Sequence, residues 1–327
     1  MDCILIIAWF ALLIKGADYM VEWASSLAKT FWISNLVIGL TVVAFWTSAP
    51  ELVTSMMSAF NWKSDLAISN VLWSNISNLL LILWITALVY PIKAPSNTVY
   101  KEIPFMFAST ILFVLLVVFE PIQEITRPDA LILIMFFTIF LYYIFKQARK
   151  PKKNLLWMEK KDPVEDEVSN FPLWKSIAFT VLWLIWLVVW GKFIVDWAVN
   201  IAEFYGIPNA FIWVTIIAIG TSLPELASSI MAAFKKNTDM AIWWIIGSNI
   251  FNSLWILWAT GTVLPLKAYD WVERDAYFNI FVVIIVLILL TASKNKFEIG
   301  KKWWIFLVFF YFSYIWYLVY NLSNSFA

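Results

Sequence analysis

Histidine is absent from this 327-residue chain, and cysteine occurs once, at Cys3. Without imidazole there is no histidine proton relay, and a zinc site loses its usual nitrogen ligand. A lone thiol excludes an intrachain disulfide and leaves the redox compartment unmarked. Charge is sparse as well. Asp, Glu, Lys and Arg make up 14% of the residues, the net charge is +1, and no basic patch with interleaved aromatics points to nucleic acid. Glycine is scarce at 8 residues, whereas tryptophan reaches 22. What fills the chain is apolar: 62% of residues are hydrophobic, more than a soluble domain of this length can hide from water. Several apolar runs reach the roughly 20 residues that cross a hydrocarbon core as helix. The sequence therefore predicts an all-α membrane protein. Its N-terminal stretch, with no basic n-region and no small-residue cleavage site, reads as a first span rather than a removed signal peptide.

Ten spans are predicted, at about 3–28, 34–60, 65–90, 102–119, 128–146, 175–203, 208–234, 239–264, 275–293 and 303–321. Pro91, Pro95, Pro121, Pro128, Pro208 and Pro265 fall in or beside the connections, where a missing N–H costs least. The longest connection, 147–174, is highly charged and lacks an apolar period, so it reads as a solvated linker. Placing that linker in the cytoplasm and alternating outward puts 17 Lys and Arg on the inner side, from Lys29 to Lys302, against four outside: Lys63, Arg127, Lys267 and Arg274. The positive-inside bias then sets both termini outside a cell (inner) membrane.

A shift of 174 residues aligns the chain with itself. TVVAFWTSAPELVTSMMSAF at 41–60 matches TIIAIGTSLPELASSIMAAF at 215–234 at 11 of 20 positions, and 65–84 matches 239–258 at 11 of 20 without a gap. The chain reads as a duplication: a first five-helix repeat at 1–146 with its motif at 39–84, the cytoplasmic linker, and a second repeat at 175–327 with its motif at 213–258. Five spans is an odd number, so the second copy enters the bilayer from the opposite face. Inverted repeats of this kind place transported substrate near the midplane, where the halves meet.

Glu51 and Glu225 lie mid-span at equivalent positions, with no Lys or Arg nearby in either span. An ionised residue at the bilayer centre costs at least ~2.5–3.5 kcal/mol on insertion scales. A bound cation, replaced by protons in the empty site, is the simplest remedy. Thr47, Ser48 and Glu51 share one helical side, as do Thr221, Ser222 and Glu225. Pro50 and Pro224 cannot donate to the carbonyls of residues 46 and 220, so each helix is predicted to kink or unwind there. The next span of each half adds Ser74 and Asn78, and Ser248 and Asn252, at i and i+4; Asn75 and Asn249 lie one residue off that line and are read as capping or bridging the break. Carboxylates, hydroxyls, amide oxygens and main-chain carbonyls form a hard-cation set suited to Ca²⁺ or Na⁺.

These elements, FWTSAPELVTS with LWSNISN and IGTSLPELASS with IIGSNIFN, resemble the alpha-1 and alpha-2 repeats of the calcium/cation antiporter superfamily, and are most similar to those of prokaryotic sodium/calcium exchangers and their potassium-dependent relatives. The resemblance extends to KGADYMVEWA and GKFIVDWAVN in the first and sixth spans and so covers nearly the whole chain. It implies two inverted five-helix repeats, with spans 2, 3, 7 and 8 around the ions and spans 1 and 6 sliding to alternate access. By position it implies that Glu51 and Glu225 are the shared Ca²⁺ ligands. Thr47, Thr221, Ser48, Ser222, Ser74, Ser248 and the carbonyls of Ala44 and Ala218 would complete the sites, with Asn78 and Asn252 flanking the centre. One departure is chemical: many members, the potassium-dependent branch above all, carry Asp where Asn252 stands. Two carboxylates balance one Ca²⁺ but leave three Na⁺ in excess by one charge, which weakens K⁺ co-transport and leaves the Na⁺ stoichiometry open.

The repeat also explains the tryptophans. In five aligned pairs Trp faces Gly: Gly16 with Trp190, Trp32 with Gly206, Gly39 with Trp213, Trp46 with Gly220, and Trp73 with Gly247. Two of those Trp directly precede the ligand elements, where an indole would crowd a break that needs close backbone approach. The pattern predicts that the gene reads UGA as glycine and that Trp stands at those positions in place of glycine. If the Trp are real, a poorly packed core and a blocked site are expected.

The expected function is secondary active exchange of Na⁺ for Ca²⁺ by alternating access, without enzymatic activity and without a cofactor beyond the transported ions. The expected partners are Ca²⁺, Na⁺ and lipid, with no nucleic acid and a monomer as the working unit. An H⁺/Ca²⁺ antiporter, or a K⁺-dependent one, on the same scaffold is the nearest rival. A cation channel is disfavoured by the paired occluded site. An intramembrane protease is disfavoured by the absence of HExxH and of a GxGD-type aspartate pair. Asp18, Glu22, Lys192 and Asp196 in the first and sixth spans are read as ion-path or structural residues.

Overall fold

The computed structural model describes residues 12, 15–19, 22, 23, 26, 37, 39–61, 63–119, 123–148, 172–204, 218–293, 297–299 and 304–325. Most of the predicted first span and the start of the seventh, with Trp32, Gly206 and Trp213, lie outside the described residues, as do the side chains of Trp46, Trp190, Lys192 and Asp196. Among the described residues, five helices are long and apolar enough to cross a membrane: Ser64–Val89, Thr98–Val118, Arg127–Ala148, Thr238–Val263 and Val272–Ala292. Proline bounds three of them as the sequence predicts: Pro91 and Pro265 come two residues after Val89 and Val263, and Pro128 is the second residue of Arg127–Ala148. The chain is a helical, multi-pass membrane protein.

Burial sorts the spans. Apolar windows of Thr238–Val263 and Ser64–Val89 are 94% and 78% enclosed by protein, against 33% for Arg127–Ala148, so the first two are central and the last is peripheral. Helices enclosed on all sides need no polar stripe, which fits runs such as Val71–Leu72–Trp73 and Ile242–Trp243–Trp244 that are buried throughout. Outer faces of the peripheral helices leave Leu131, Met135, Ile139 and Phe145 exposed, as surfaces facing acyl chains do.

Both central helices open into π-helical turns, at Asn78–Ile82 and Phe251–Ile256. Two small antiparallel strand pairs tie the connections together. β1 (Ile92–Lys93) pairs with β4 (Glu298–Ile299), and β2 (Glu124–Ile125) pairs with β3 (Leu266–Lys267). The 174-residue shift turns one pair into the other, partner for partner: Ile92 opposite Ile299 becomes Leu266 opposite Ile125. Gln123 and Phe297, related by the same shift, both have positive φ (49° and 65°) just before their strands. Their carbonyls accept from Ala268 and Ala94 at 2.8 Å each. A bulky Phe tolerates that backbone only where its surroundings hold it, and here the paired strand does.

Gly247 shows why glycine sits where it does. A Cβ there would stand 2.9 Å from Ala44 Cβ and 3.1 Å from Leu40 Cα, so the central helix touches backbone of the Gly39–Thr47 stretch. Its counterpart Trp73 is buried and stacks on Tyr314 with centroids 4.9 Å apart. Gly39 likewise meets Trp244, fully buried, whose indole N–H has no hydrogen bond among the described residues. The core therefore encloses Trp73.

Candidate ion-binding site

Each central helix is flanked by a broken one. The one-turn helix Ala44–Thr47 ends at Ser48 (φ −80°, ψ 6°) before Ala49–Phe60 begins. Ala218–Thr221 ends at Ser222 (φ −86°, ψ 8°) before Leu223–Phe234. Pro50 and Pro224 explain the position: each is the second residue of the new helix, where its missing N–H is harmless but cannot serve the turn before. Glu51 and Glu225 fall in the first turn of the resumed helices, the end whose partial positive charge favours a carboxylate.

Both carboxylates are wholly buried. Each is met by the break serine of the other half: Ser222 donates to Glu51 Oε1 at 3.1 Å, and Ser48 donates to Glu225 Oε1 at 3.3 Å. Ser248 of the central helix donates to the same Glu225 oxygen at 2.8 Å and lies 2.6 Å from Ser48 Oγ. Ser48, Ser248 and Glu225 thus make three oxygen–oxygen contacts with two hydroxyl hydrogens between them. The other oxygens of the acids, Glu51 Oε2 and Glu225 Oε2, accept no hydrogen bond among the described residues, and no described Lys or Arg pairs with either acid. Burying such a group unpaired costs several kcal/mol per ion.

The remaining predicted residues gather around this pair to different degrees. Thr47 and Thr221 flank Glu225 and Glu51 respectively, and Thr47 Oγ1 also reaches the Ala44 carbonyl at 3.4 Å. That carbonyl additionally accepts the Ser48 N–H at 3.1 Å, and Ala218 opens the matching turn in the second half. Ser74, Asn78 and Asn252 are buried; Ser74 Oγ, Asn78 Oδ1 and both amide atoms of Asn252 make no hydrogen bond among the described residues. So the structure groups Glu51, Glu225, Ser48, Ser222 and Ser248 by direct bonds and leaves Ser74 and Asn252 as unpartnered polar groups. Among the described residues no three His, Cys, Asp or Glu cluster.

The chain matches the family described as sodium/calcium exchanger protein over residues 2–146 and 175–320. It belongs to the sodium/calcium exchanger family. It is 36% identical over 289 residues, 88% of either chain, to CaxA of Alkalimonas amylolytica. It is 30% identical over 335 residues to sodium/calcium exchanger MaX1 of Methanosarcina acetivorans, covering 93% of this chain and 94% of that one. Its fold matches a solved structure of the sodium-calcium exchanger NCX_Mj soaked with Na⁺ and Ca²⁺, with a TM-score of 0.77, 26% identity, and 95% and 98% of the two chains covered. The family is one of membrane transporters exchanging cations, so the protein is not an enzyme.

Two polar residues escaped the sequence reading. Asn70 donates to the Glu51 carbonyl and to Ser55 Oγ, both at 3.2 Å, tying the Ala49–Phe60 helix to the central one. Its position four residues before Ser74 and eight before Asn78, on the same helical side, was an available signal. Ser253 accepts from Asn75 Nδ2 at 2.8 Å across the two halves, and no sequence spacing announces that partner.

Proposed function

We propose that the protein is an antiporter that exchanges Na⁺ for Ca²⁺ across the cell membrane by alternating access, with Glu51 and Glu225 as the shared ligands. The observation that carries this reading is the reciprocal bonding of the two buried acids, Ser222 to Glu51 and Ser48 to Glu225. It brings two negative charges and several unsatisfied oxygens together from both halves, with no described protein cation to neutralise them. A divalent ion balances two carboxylates; Na⁺ competes for the same oxygens, and that competition enforces exchange over leak. MaX1 and NCX_Mj, both named as sodium/calcium exchangers, support Na⁺ as the counter-ion.

The proposed frame is ten spans in two inverted five-helix halves, 1–146 and 175–327, joined by a cytoplasmic linker. Both termini lie outside, and the monomer is the working unit. Partner-for-partner exchange of the strand pairs supports the inversion. Thr47, Thr221, Ser74, Asn78, Asn252 and the carbonyls of Ala44 and Ala218 complete the coordination. If three Na⁺ enter per Ca²⁺ expelled, one net charge crosses, worth about 2.3 kcal/mol per 100 mV, and transport is voltage-dependent. The test is radiolabelled Ca²⁺ uptake into proteoliposomes loaded with Na⁺, against the same vesicles given only a pH gradient. Uptake that follows the proton gradient and ignores Na⁺ would assign the protein to H⁺/Ca²⁺ exchange instead.

A further inference from the structure

The two central helices touch through a short chain of carboxamides. Asn249 Nδ2 donates to the main-chain carbonyl of Asn75 at 3.2 Å, and Asn78 Nδ2 donates to Asn249 Oδ1 at 2.9 Å. A main-chain carbonyl can only accept, so it fixes which face of the Asn249 amide carries the nitrogen. The Asn249 oxygen is thereby turned to Asn78, which has to answer with its own –NH₂. A carboxamide holds its oxygen on the side opposite its nitrogen, so Asn78 Oδ1 is left as a buried acceptor with no hydrogen bond among the described residues. Asn78 opens the π-turn Asn78–Ile82, which packs against the Leu223–Phe234 helix that carries Glu225.

The equivalent clamp is missing in the other half. There Asn75, the counterpart of Asn249, donates to Ser253 Oγ at 2.8 Å and makes no bond to Asn252, whose amide is unpartnered at both atoms among the described residues. Asn78 is therefore a preset oxygen and Asn252 an unset one.

We propose that Asn249 is a positioning residue that holds the Asn78 carboxamide with its oxygen presented to the transported cation. This rests on the ion-site reading above, in which Asn78 is a ligand. An –NH₂ turned toward a cation repels it, so releasing the clamp weakens cation binding without altering the steps that carry the loaded protein across.

The full-length chain in proteoliposomes tests this through Na⁺-driven Ca²⁺ uptake, comparing Asn249→Leu alone and in an Asn78→Ala background. The expected result is a rise of about tenfold in KM for Ca²⁺ with the maximal rate within about twofold, and no further rise in KM once Asn78 is Ala. Asn249→Ser, smaller and polar, supports the same comparison if the Leu variant does not reach the membrane. An equal rise in both backgrounds would mark Asn249 as a packing residue and overturn the proposal, as would an unchanged KM with Asn78 intact. A native protein that takes up no Ca²⁺ on a Na⁺ gradient, or an Asn78→Ala variant with native KM, would sink the ion-site reading itself.

Discussion

Ser222 donates its hydroxyl to Glu51 at 3.1 Å from the other half of the chain, and both residues are buried. The bond crosses 171 positions of sequence and is returned by Ser48 to Glu225. Each acid is thus oriented by the helix break of its opposite number, so a change in one half is felt in the other.

Replacing either acid by its amide removes one of the two charges that balance a divalent ion while keeping shape and volume. Glu51→Gln and Glu225→Gln are each expected to lower Ca²⁺ uptake by on the order of a hundredfold or more, since unpairing a buried charge pair costs about 2–5 kcal/mol. Initial uptake rates, normalised to protein in the vesicles, check this. Robust exchange by either variant would remove that acid from the site.

Acid is expected to inhibit by competition. Protons and cations claim the same oxygens of the Glu51–Glu225 pair, so lowering the pH is predicted to raise KM for Ca²⁺ while saturating Ca²⁺ restores the rate. A fall in maximal rate at constant KM would place the inhibiting proton elsewhere.

At position 73 the expected residue in the protein made by its native host is glycine. Gly247 shows what this register demands: a Cβ would sit 2.9 Å from Ala44 Cβ. Peptide mass spectrometry across residues 65–84, or the codons themselves, decides the matter; UGG at 46 and 73 would end the idea. Trp46→Gly combined with Trp73→Gly is expected to exchange faster than the Trp-bearing chain. Gly247→Ala is expected to destabilise by about 1–3 kcal/mol through overpacking, measurable as a lowered Tm in detergent.

Asn70 ties two helices by one amide, through the Glu51 carbonyl and Ser55. Asn70→Ala leaves both acceptors without that donor and is expected to cost about 1–3 kcal/mol in thermal stability. A Tm equal to the native value would mean that water or a neighbour replaces the amide at no cost.

Local features were largely legible. The predicted spans 65–90, 239–264 and 128–146 differ by one or two residues from Ser64–Val89, Thr238–Val263 and Arg127–Ala148. The predicted 102–119 begins at Thr98 instead, because the helix opens with a π-turn, Thr98–Glu102, whose polar residues carry no apolar signal. The breaks at Ser48 and Ser222 were announced by Pro50 and Pro224. The asymmetry between Ser248, bonded to Glu225, and Ser74, without a hydrogen bond among the described residues, was not: the two serines sit at equivalent places in aligned motifs.

Sequence alone decided that the chain is a multi-pass membrane protein and that it carries the same motif twice. Those properties follow from apolar run length and from self-comparison along the chain, and neither depends on how the helices pack. Tertiary structure decided that Ser222 serves Glu51 rather than Glu225, that Gly247 touches Leu40 and Ala44, and that Asn249 faces Asn78. Contacts between segments more than 150 positions apart depend on how helices cross, and crossing is set by the packing of whole faces, which no spacing along one helix encodes.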